Sequence, residues 1–509
     1  MPDPSGFMQN RLLWLIAGTT LVRLGFAAST GLGVDESYMV AAGRTLSLGY
    51  FDHPPLSWWL SWGAAHLFGT EAPIAVRLPF ILLFALTTWL MARLGTDVAD
   101  ERAGFWAAVL LNLSPVFGVT GGTWVLPDGP LLCVLTGAAL CMVKAIGTGP
   151  TPTVIPGLVP GTNIGTDAAI DPWDKPGDDG TGSIVWWLLT GLCAGLALSA
   201  KYSAILTIGG AFLFLAYDRR LLRRPEPYLA ALVAILTFSP VIVWNATHHW
   251  ASFAFQGQRA TGLRFQPFAP LAVLLGESLF VLPWIWAPML AVAFRPRPRE
   301  RLLVWLAALP IVAFALIAAW SSQRILFHWA APGYLMLFPL LGRAVAERLH
   351  VPAVRCTLAA TAALIASAVA IIGMQASTDF AGTLTAIMRK DPTIEGIDWT
   401  SITSDLTARG LLPPGTVVGV PNWRDGGKIA YALGPDVTVV CLNADARQFG
   451  FATEAHAGDD MLLIGLAPVS GPFDRIEPLP PTSVRNLGRV LQTVSVSLGH
   501  RLIAWPPPK

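Results

Sequence analysis

Apolar runs of membrane-crossing length recur through the first 375 residues of this chain, with polar residues gathered in the gaps between them. About 17–25 consecutive apolar residues cross the hydrocarbon core of a bilayer as a helix. Runs of or near that length lie around 11–29, 73–95, 104–121, 124–146, 184–200, 203–217, 228–246, 270–293, 302–320, 329–346 and 355–374, which predicts eleven transmembrane helices. The first run ends on Phe26-Ala27-Ala28-Ser29, loosely like a signal-peptide cleavage site, but the many spans that follow favour an uncleaved first helix. No internal repeat is visible, which weighs against an inverted-repeat transporter.

Two stretches break this pattern. Residues 147–183 are rich in Gly, Pro, Thr and Asp without periodicity and read as a disordered cytoplasmic insertion. Beyond residue 376 the long apolar runs stop. Thr416–Pro421, Asp436–Leu442, Met461–Leu466 and Val490–Val496 read as short β-branched strands, and Asp425–Leu433 reads as a helix. The expected architecture is therefore a mostly α, polytopic membrane domain over 1–375, followed by a small extracytoplasmic α/β domain over 376–509.

Composition supports the membrane assignment: 13% of residues are charged, against about 25% in soluble domains. Twenty Trp residues suit a chain with many bilayer interfaces, where indole rings prefer to sit. A net charge of +2 leaves no concentrated basic patch for nucleic acid. Of five Cys, four lie in apolar stretches and only Cys441 in a polar one, so no disulfide framework is indicated. No Cys/His spacing suggests structural zinc.

Lys and Arg collect in Asp218–Arg224, in Arg295–Arg301 and at Arg343, Arg348 and Arg355. With eleven spans and the N-terminus inside, all three groups fall on the cytoplasmic side, as the positive-inside rule requires. The same parity places the 30–72 loop, the turn near 121–127, the turn at 199–202, the 247–269 loop, the 321–328 turn and everything after Met374 on the other face.

Chemistry-bearing residues gather in those outer segments. The 30–72 loop holds Asp35, Glu36 and Asp52, an acidic cluster that is costly beside a bilayer and asks for a chemical reason. Gly31-Leu32-Gly33 lets the chain turn out of the first helix. Ser37–Leu48 then has the pattern of an amphipathic helix along the surface, and Leu56–Phe68, with Trp58, Trp59 and Trp62, that of a second interfacial helix. Capping of such helices is a sufficient role for Glu36 and a poorer one for Asp35 and Asp52, which sit closest to the turns. Asp128 stands at the outer end of an apolar span, where an ionisable group is usually functional, although a helix N-cap is its simpler role. Lys201 suits a phosphate partner, against the plainer role of snorkelling to the interface. The 244–259 segment adds His248, His249 and Arg259. Arg23, Arg77 and Arg324 are further members of the ring, each also explicable as a snorkelling arginine. Paired His residues can bind a metal, but contacts to sugar or headgroup suit this loop better.

In this order, an acidic first loop, Pro-Pro-Leu at 54–56, Pro-Asp at 127–128 and Lys-Tyr at 201–202, the chain resembles the GT-C fold membrane glycosyltransferases. Nearest among them are the aminoarabinose and galacturonic acid transferases of lipid A and the protein O-mannosyltransferase superfamily. The resemblance covers about the first 350 residues. It implies an enzyme of the cell (inner or plasma) membrane that takes a sugar from polyprenyl phosphate. The acceptor would be a lipid, glycan or protein hydroxyl or phosphate. Residue by residue, Asp35 matches the family's essential acid of the first loop and Asp128 its second acid, the two catalytic candidates. Asp52 and His53 match its Glu-Lys-Pro-Pro positions, and Lys201 its donor-phosphate lysine. Glu36, Tyr38, Tyr202, His248, His249, Arg259 and Arg324 complete the expected substrate-binding set. His53 departs from the family's lysine, so a phosphate-binding role there would depend on pH.

Independently of the resemblance, transfer from a lipid phosphate needs a base for the acceptor hydroxyl and positive charge on the leaving phosphate. Asp35 is the expected base, and in-line attack would invert the anomeric centre. A divalent ion (Mg, Mn or Zn) is compatible with this chemistry and some relatives use one, but no dedicated metal site is visible. A monomer is expected. The competing reading is a transporter or flippase for lipid-linked sugars, which should place its ionisable groups at mid-membrane rather than at one face.

Overall fold

The computed structural model describes residues 4–147, 181–258, 264–321, 325–378, 380, 394–443, 445–453, 455–486 and 489–504. The insertion expected at 147–183 lies almost wholly outside them, as do Arg259 and Arg324.

The apolar runs become helices. Among the described residues seven are long and apolar enough to cross a membrane: α1 (Pro4–Ser29), α4 (Pro73–Val98), α6 (Asp128–Gly147), α7 (Thr181–Ala200), α9 (Glu226–Thr247), α13 (Arg301–Trp320) and α16 (Pro352–Thr378). An eighth span forms if α11 (Ala269–Val281) and α12 (Pro283–Ala293) count as one. They bend by 112° at Leu282, whose φ of +82° lies outside helical space.

The other three expected spans are shorter or broken. Ser114-Pro115 ends α5 (Glu101–Leu113), which continues as a π-helical stretch over Val116–Gly121. The helix α8 (Ala204–Tyr217) has 14 residues. Residues 327–348 break into a 3-10 turn, α14 (Ala331–Leu335) and α15 (Phe338–Arg348), each helix opening near a proline. Small residues let these pieces pack closely: a Cβ on Gly104 of α5 would stand 2.2 Å from the Ala92 carbonyl of α4.

The C-terminal part forms one sheet of order β2-β1-β3-β5-β4. The strands are β1 (Val417–Val420), β2 (Thr438–Cys441), β3 (Met461–Gly465), β4 (Phe473–Asn486) and β5 (Arg489–Leu502). The first three run parallel, and β4–β5 is a long antiparallel hairpin beside β3. The expected strands and the helix α18 (Trp423–Leu433) are present, joined by α17 (Ser401–Ala408) and the short α19 (Phe449–Ala452). The strand β4 was hidden in the sequence by Pro478, Pro480 and Pro481. Prolines are tolerated there because β4 is an edge strand, and its register shifts between Leu479 and Thr482. All five cysteines are free.

The first loop corrects the sequence reading. Its first helix is α2 (Val34–Ala42), not Ser37–Leu48, and it does not lie along an open surface: Glu36 through Ala42 are all buried. The reason is α18, which covers it so closely that a Cβ on Gly427 would stand 2.8 Å from the Tyr38 Cα. Leu46, an apolar residue of the expected Ser37–Leu48 helix, lies beyond α2 and is exposed. Beside α2, α3 (Leu56–Phe68) forms as expected. One hydrophobic core runs through both parts, with Leu32, Tyr38, Trp58 and Phe80 packed with Trp423, Ile429 and Val418. Burial of that shared surface is the main force holding the C-terminal sheet to the first loop.

Polar contacts fix its register. Lys428 Nζ donates to the carbonyls of Leu32, Glu395 and Ile397 at 2.7–2.9 Å. Arg44 donates to the carbonyls of Ala430 and Gly434 at the end of α18 and pairs with both oxygens of Glu71. Burial lowers the Lys428 pKa to about 8, and the three carbonyls take the place of a carboxylate partner.

Candidate active site

Asp35 and Glu36 are neighbours in the first turn of α2 with opposite surroundings. Glu36 is fully satisfied. It accepts from Arg77 at 2.6 and 2.8 Å, from the Gly33 N–H at 2.9 Å and from the Val125 N–H at 3.0 Å. Burial opposes its charge, but Arg77 and these hydrogen bonds outweigh burial and hold its pKa below the usual carboxylate range. It caps α2 and ties the first loop to the 121–127 turn, a structural role.

Asp35 accepts no hydrogen bond from any described residue. Burial raises its pKa, against the charges of Arg424 and Arg447, while Glu395 and Asp52 push it further up. It lines a cavity of about 700 Å³ whose apolar walls include Val22 and Phe26 of α1, Val116 beyond α5, and Ile365 and Val369 of α16.

Asp52 is buried, and its Oδ1 accepts from the Tyr38 hydroxyl at 3.1 Å. That hydroxyl in turn accepts from the Gln448 N–H at 2.9 Å. Arg447 approaches Asp52 Oδ2 at 3.5 Å, and Gln256 donates to the Asp52 carbonyl at 2.6 Å. Two distant segments, at Gln256 and at Arg447–Gln448, therefore meet on one short piece of the first loop.

Asp128 opens α6, where its charge suits the helix dipole. Lys201 Nζ reaches its two oxygens at 2.9 and 3.1 Å, both side chains being mostly buried. His53 and His328 lie within electrostatic range of that carboxylate. The nearby Tyr202 hydroxyl lies 2.7 Å from the Ser252 hydroxyl.

The sequence-predicted residues thus fall into two groups. Asp35, Tyr38 and Asp52 face the C-terminal domain. Asp128, Lys201 and His53 form the second group, which Tyr202 adjoins and which the fold extends with His328. His248 stacks on Trp244 and its Nδ1 lies 2.8 Å from the Trp244 carbonyl, while the exposed His249 has φ +53°. Among the described residues no three His, Cys, Asp or Glu side chains gather to hold a metal. Sequence reasoning missed Arg424, Arg447 and Gln448. They sit in a polar tail with no motif, and only folding brings them to the first loop.

The architecture is the GT-C fold, the fold of a class of membrane glycosyltransferases. The model of the dolichyl-phosphate-mannose-protein mannosyltransferase family matches residues 52–160 and 180–244, a stretch that includes Asp52, His53, Asp128 and Lys201. The lipid A galacturonosyltransferase RgtD of Rhizobium johnstonii is 26% identical over 341 residues, 64% of this chain and 63% of that protein. The alignment therefore spans less than two thirds of that relative. The apo crystal structure of ArnT from Cupriavidus metallidurans superposes with a TM-score of 0.63 at 14% identity, covering 96% of this chain and 98% of that one. The same protein bound to undecaprenyl phosphate gives 0.60 at 16% identity, with 97% and 98% covered.

Proposed function

We propose that this protein moves a sugar from a polyprenyl phosphate donor to an acceptor hydroxyl or phosphate, with inversion and with Asp35 as base. The observation that carries the reading is the position of Asp35: a carboxylate with no hydrogen-bonding partner among the described residues, at the wall of an apolar cavity large enough for lipid. The likeness in fold to ArnT, which binds undecaprenyl phosphate, supports a lipid-phosphate donor. The relation to RgtD supports a glycolipid such as lipid A as acceptor.

In the proposed step the acceptor oxygen attacks the anomeric carbon while its proton passes to Asp35. The bond from that carbon to the phosphate oxygen breaks, and the polyprenyl phosphate leaves as a dianion. Lys201, oriented by Asp128, stabilises the departing charge. Tyr38, Asp52 and His53 of the first loop are assigned to substrate binding.

The chain is read as crossing the inner or plasma membrane eleven times, each broken helix counting once, with the site and C-terminal domain extracytoplasmic. The basic loops on the opposite face support that orientation. The grouping of ionisable residues at span ends favours an enzyme over a flippase.

The test is transfer by the purified protein from radiolabelled polyprenyl phosphate sugars to lipid A. Asp35→Asn is expected to lower the rate about 10²- to 10⁴-fold, the usual contribution of a general base. An undiminished rate in the variant removes Asp35 from this role, and donor turnover without transfer removes the acceptor assignment. A parallel arm with EDTA reads whether a divalent ion takes part.

A further inference from the structure

We propose that Arg447 is a positioning residue of the active site, supplied by the C-terminal domain: it holds Asp52, with Gln448 beside it holding Tyr38, and faces Asp35 with positive charge. The proposal deepens the reading of Asp35 as base and rests on it only for the activity arm of the test.

The geometry around Arg447 is unusual for a surface arginine. Its guanidinium carbon lies 3.8 Å from the centre of the Trp423 ring and 5.7 Å from that of Phe255. The first contact is a close cation–π stack that fixes the plane of the group. Its Nη1 is 3.5 Å from Asp52, which is almost fully buried. Its Nε is buried without a hydrogen bond, 3.7 Å from Asp445. The backbone sits at φ +49°, a region a non-glycine residue occupies at a cost and which clusters at functional sites.

The next residue completes the clamp. The Gln448 N–H donates to the Tyr38 hydroxyl, and the Gln448 side-chain oxygen accepts from the Phe51 N–H at 2.9 Å. One turn of the C-terminal domain thereby holds both ends of the excursion from α2 to Asp52. Asp35 lies on α2, three residues before Tyr38.

The charges that face Asp35 are Arg424 at the start of α18, Arg447, Glu395 and Asp52. Arg424 acts on it more strongly, but it is half exposed and paired with Glu395 at 3.1 Å. Solvent and that partner screen it. Arg447 is only 19% exposed, so its field is screened less. The two arginines together oppose the burial that disfavours the Asp35 carboxylate.

The test uses the full chain in lipid nanodiscs and two readouts. The first is carbodiimide labelling of Asp35 with glycine ethyl ester, followed by mass spectrometry across pH, which reads its protonation without needing activity. Arg447→Gln is expected to raise the midpoint by about one pH unit, the lower end of what an opposite charge at close range achieves. Arg447→Lys, which keeps the charge, returns it toward the wild-type value. The second readout is the pH profile of sugar transfer, whose acid limb moves the same way while kcat falls more than KM changes.

If Arg447→Gln does not fold, Arg447→Met, which keeps an apolar stem against Trp423 and removes the charge, is expected to raise the labelling midpoint in the same direction. An unchanged midpoint in folded Arg447→Gln overturns the proposal, as does an unchanged midpoint in Arg447→Met where that variant must stand in. A wild type that is labelled normally but transfers no sugar overturns the glycosyltransferase reading and leaves the labelling result to decide the role of Arg447.

Discussion

The two charged groups of this protein solve the same problem in opposite ways. At the end of α6, Asp128 and Lys201 neutralise each other within 3.1 Å in mostly buried surroundings. At the seam between first loop and C-terminal domain, Asp35 has charge nearby but no hydrogen-bonding partner among the described residues. A closed ion pair is stable and slow to release a charge, whereas a buried, unpartnered carboxylate is costly to maintain and ready to accept a proton. The first group therefore suits a fixed electrostatic frame and the second suits the chemistry.

The sharpest way to break this comparison is to open the closed pair. Lys201→Met leaves Asp128 buried and unpaired, and about 3–5 kcal/mol of stability is expected to be lost, read by denaturant titration in detergent micelles. The double variant Asp128→Asn/Lys201→Met should recover much of that loss. If the single and double variants are equally unstable, the pair is not coupled as its geometry indicates.

A smaller effect is expected at the seam itself. Gly427→Ala places a methyl group 2.8–2.9 Å from the Tyr38 backbone and Cβ, and forcing α18 away from α2 should cost about 1–3 kcal/mol. Faster hydrogen exchange at the amides of Gln448 and Phe51, whose bonds cross the seam, would mark the displacement. Unaltered exchange there would mean that α18 and α2 tolerate a wider spacing.

The smallest change in stability, and the most informative, is that of Asp35→Asn. Burial raises the Asp35 pKa, so its ionised form weakens the fold as pH rises through that raised value, and the stability present at lower pH is lost. Replacing it with a neutral isostere should leave the thermal midpoint equal or slightly higher at neutral pH. Transfer by the wild type should fail as pH drops through the raised Asp35 pKa, above the ordinary value of about 3.9. A large loss of stability in Asp35→Asn would mean that Asp35 is structural after all, like Glu36.

Glu36 and Asp35 also mark what each level of information can resolve. Their presence in a loop beside a membrane span is plain in the sequence, as are the long apolar runs, the basic loops and the short strands of the tail, because hydrophobic length and period are local properties. Asp128 and Lys201 are legible individually, since a charge at the end of an apolar run stands out. Which acid is satisfied and which is not depends on Arg77, Val125 and Arg447, residues 41, 89 and more than 400 positions away. The same holds for α2, whose pattern suggests one free face because the sequence cannot show that α18 covers the other. Local pattern determines which segments become helices, strands and exposed loops. Only the tertiary structure decides the protonation and partnership of each buried charge, because those are set by through-space fields and desolvation that have no trace in sequence spacing.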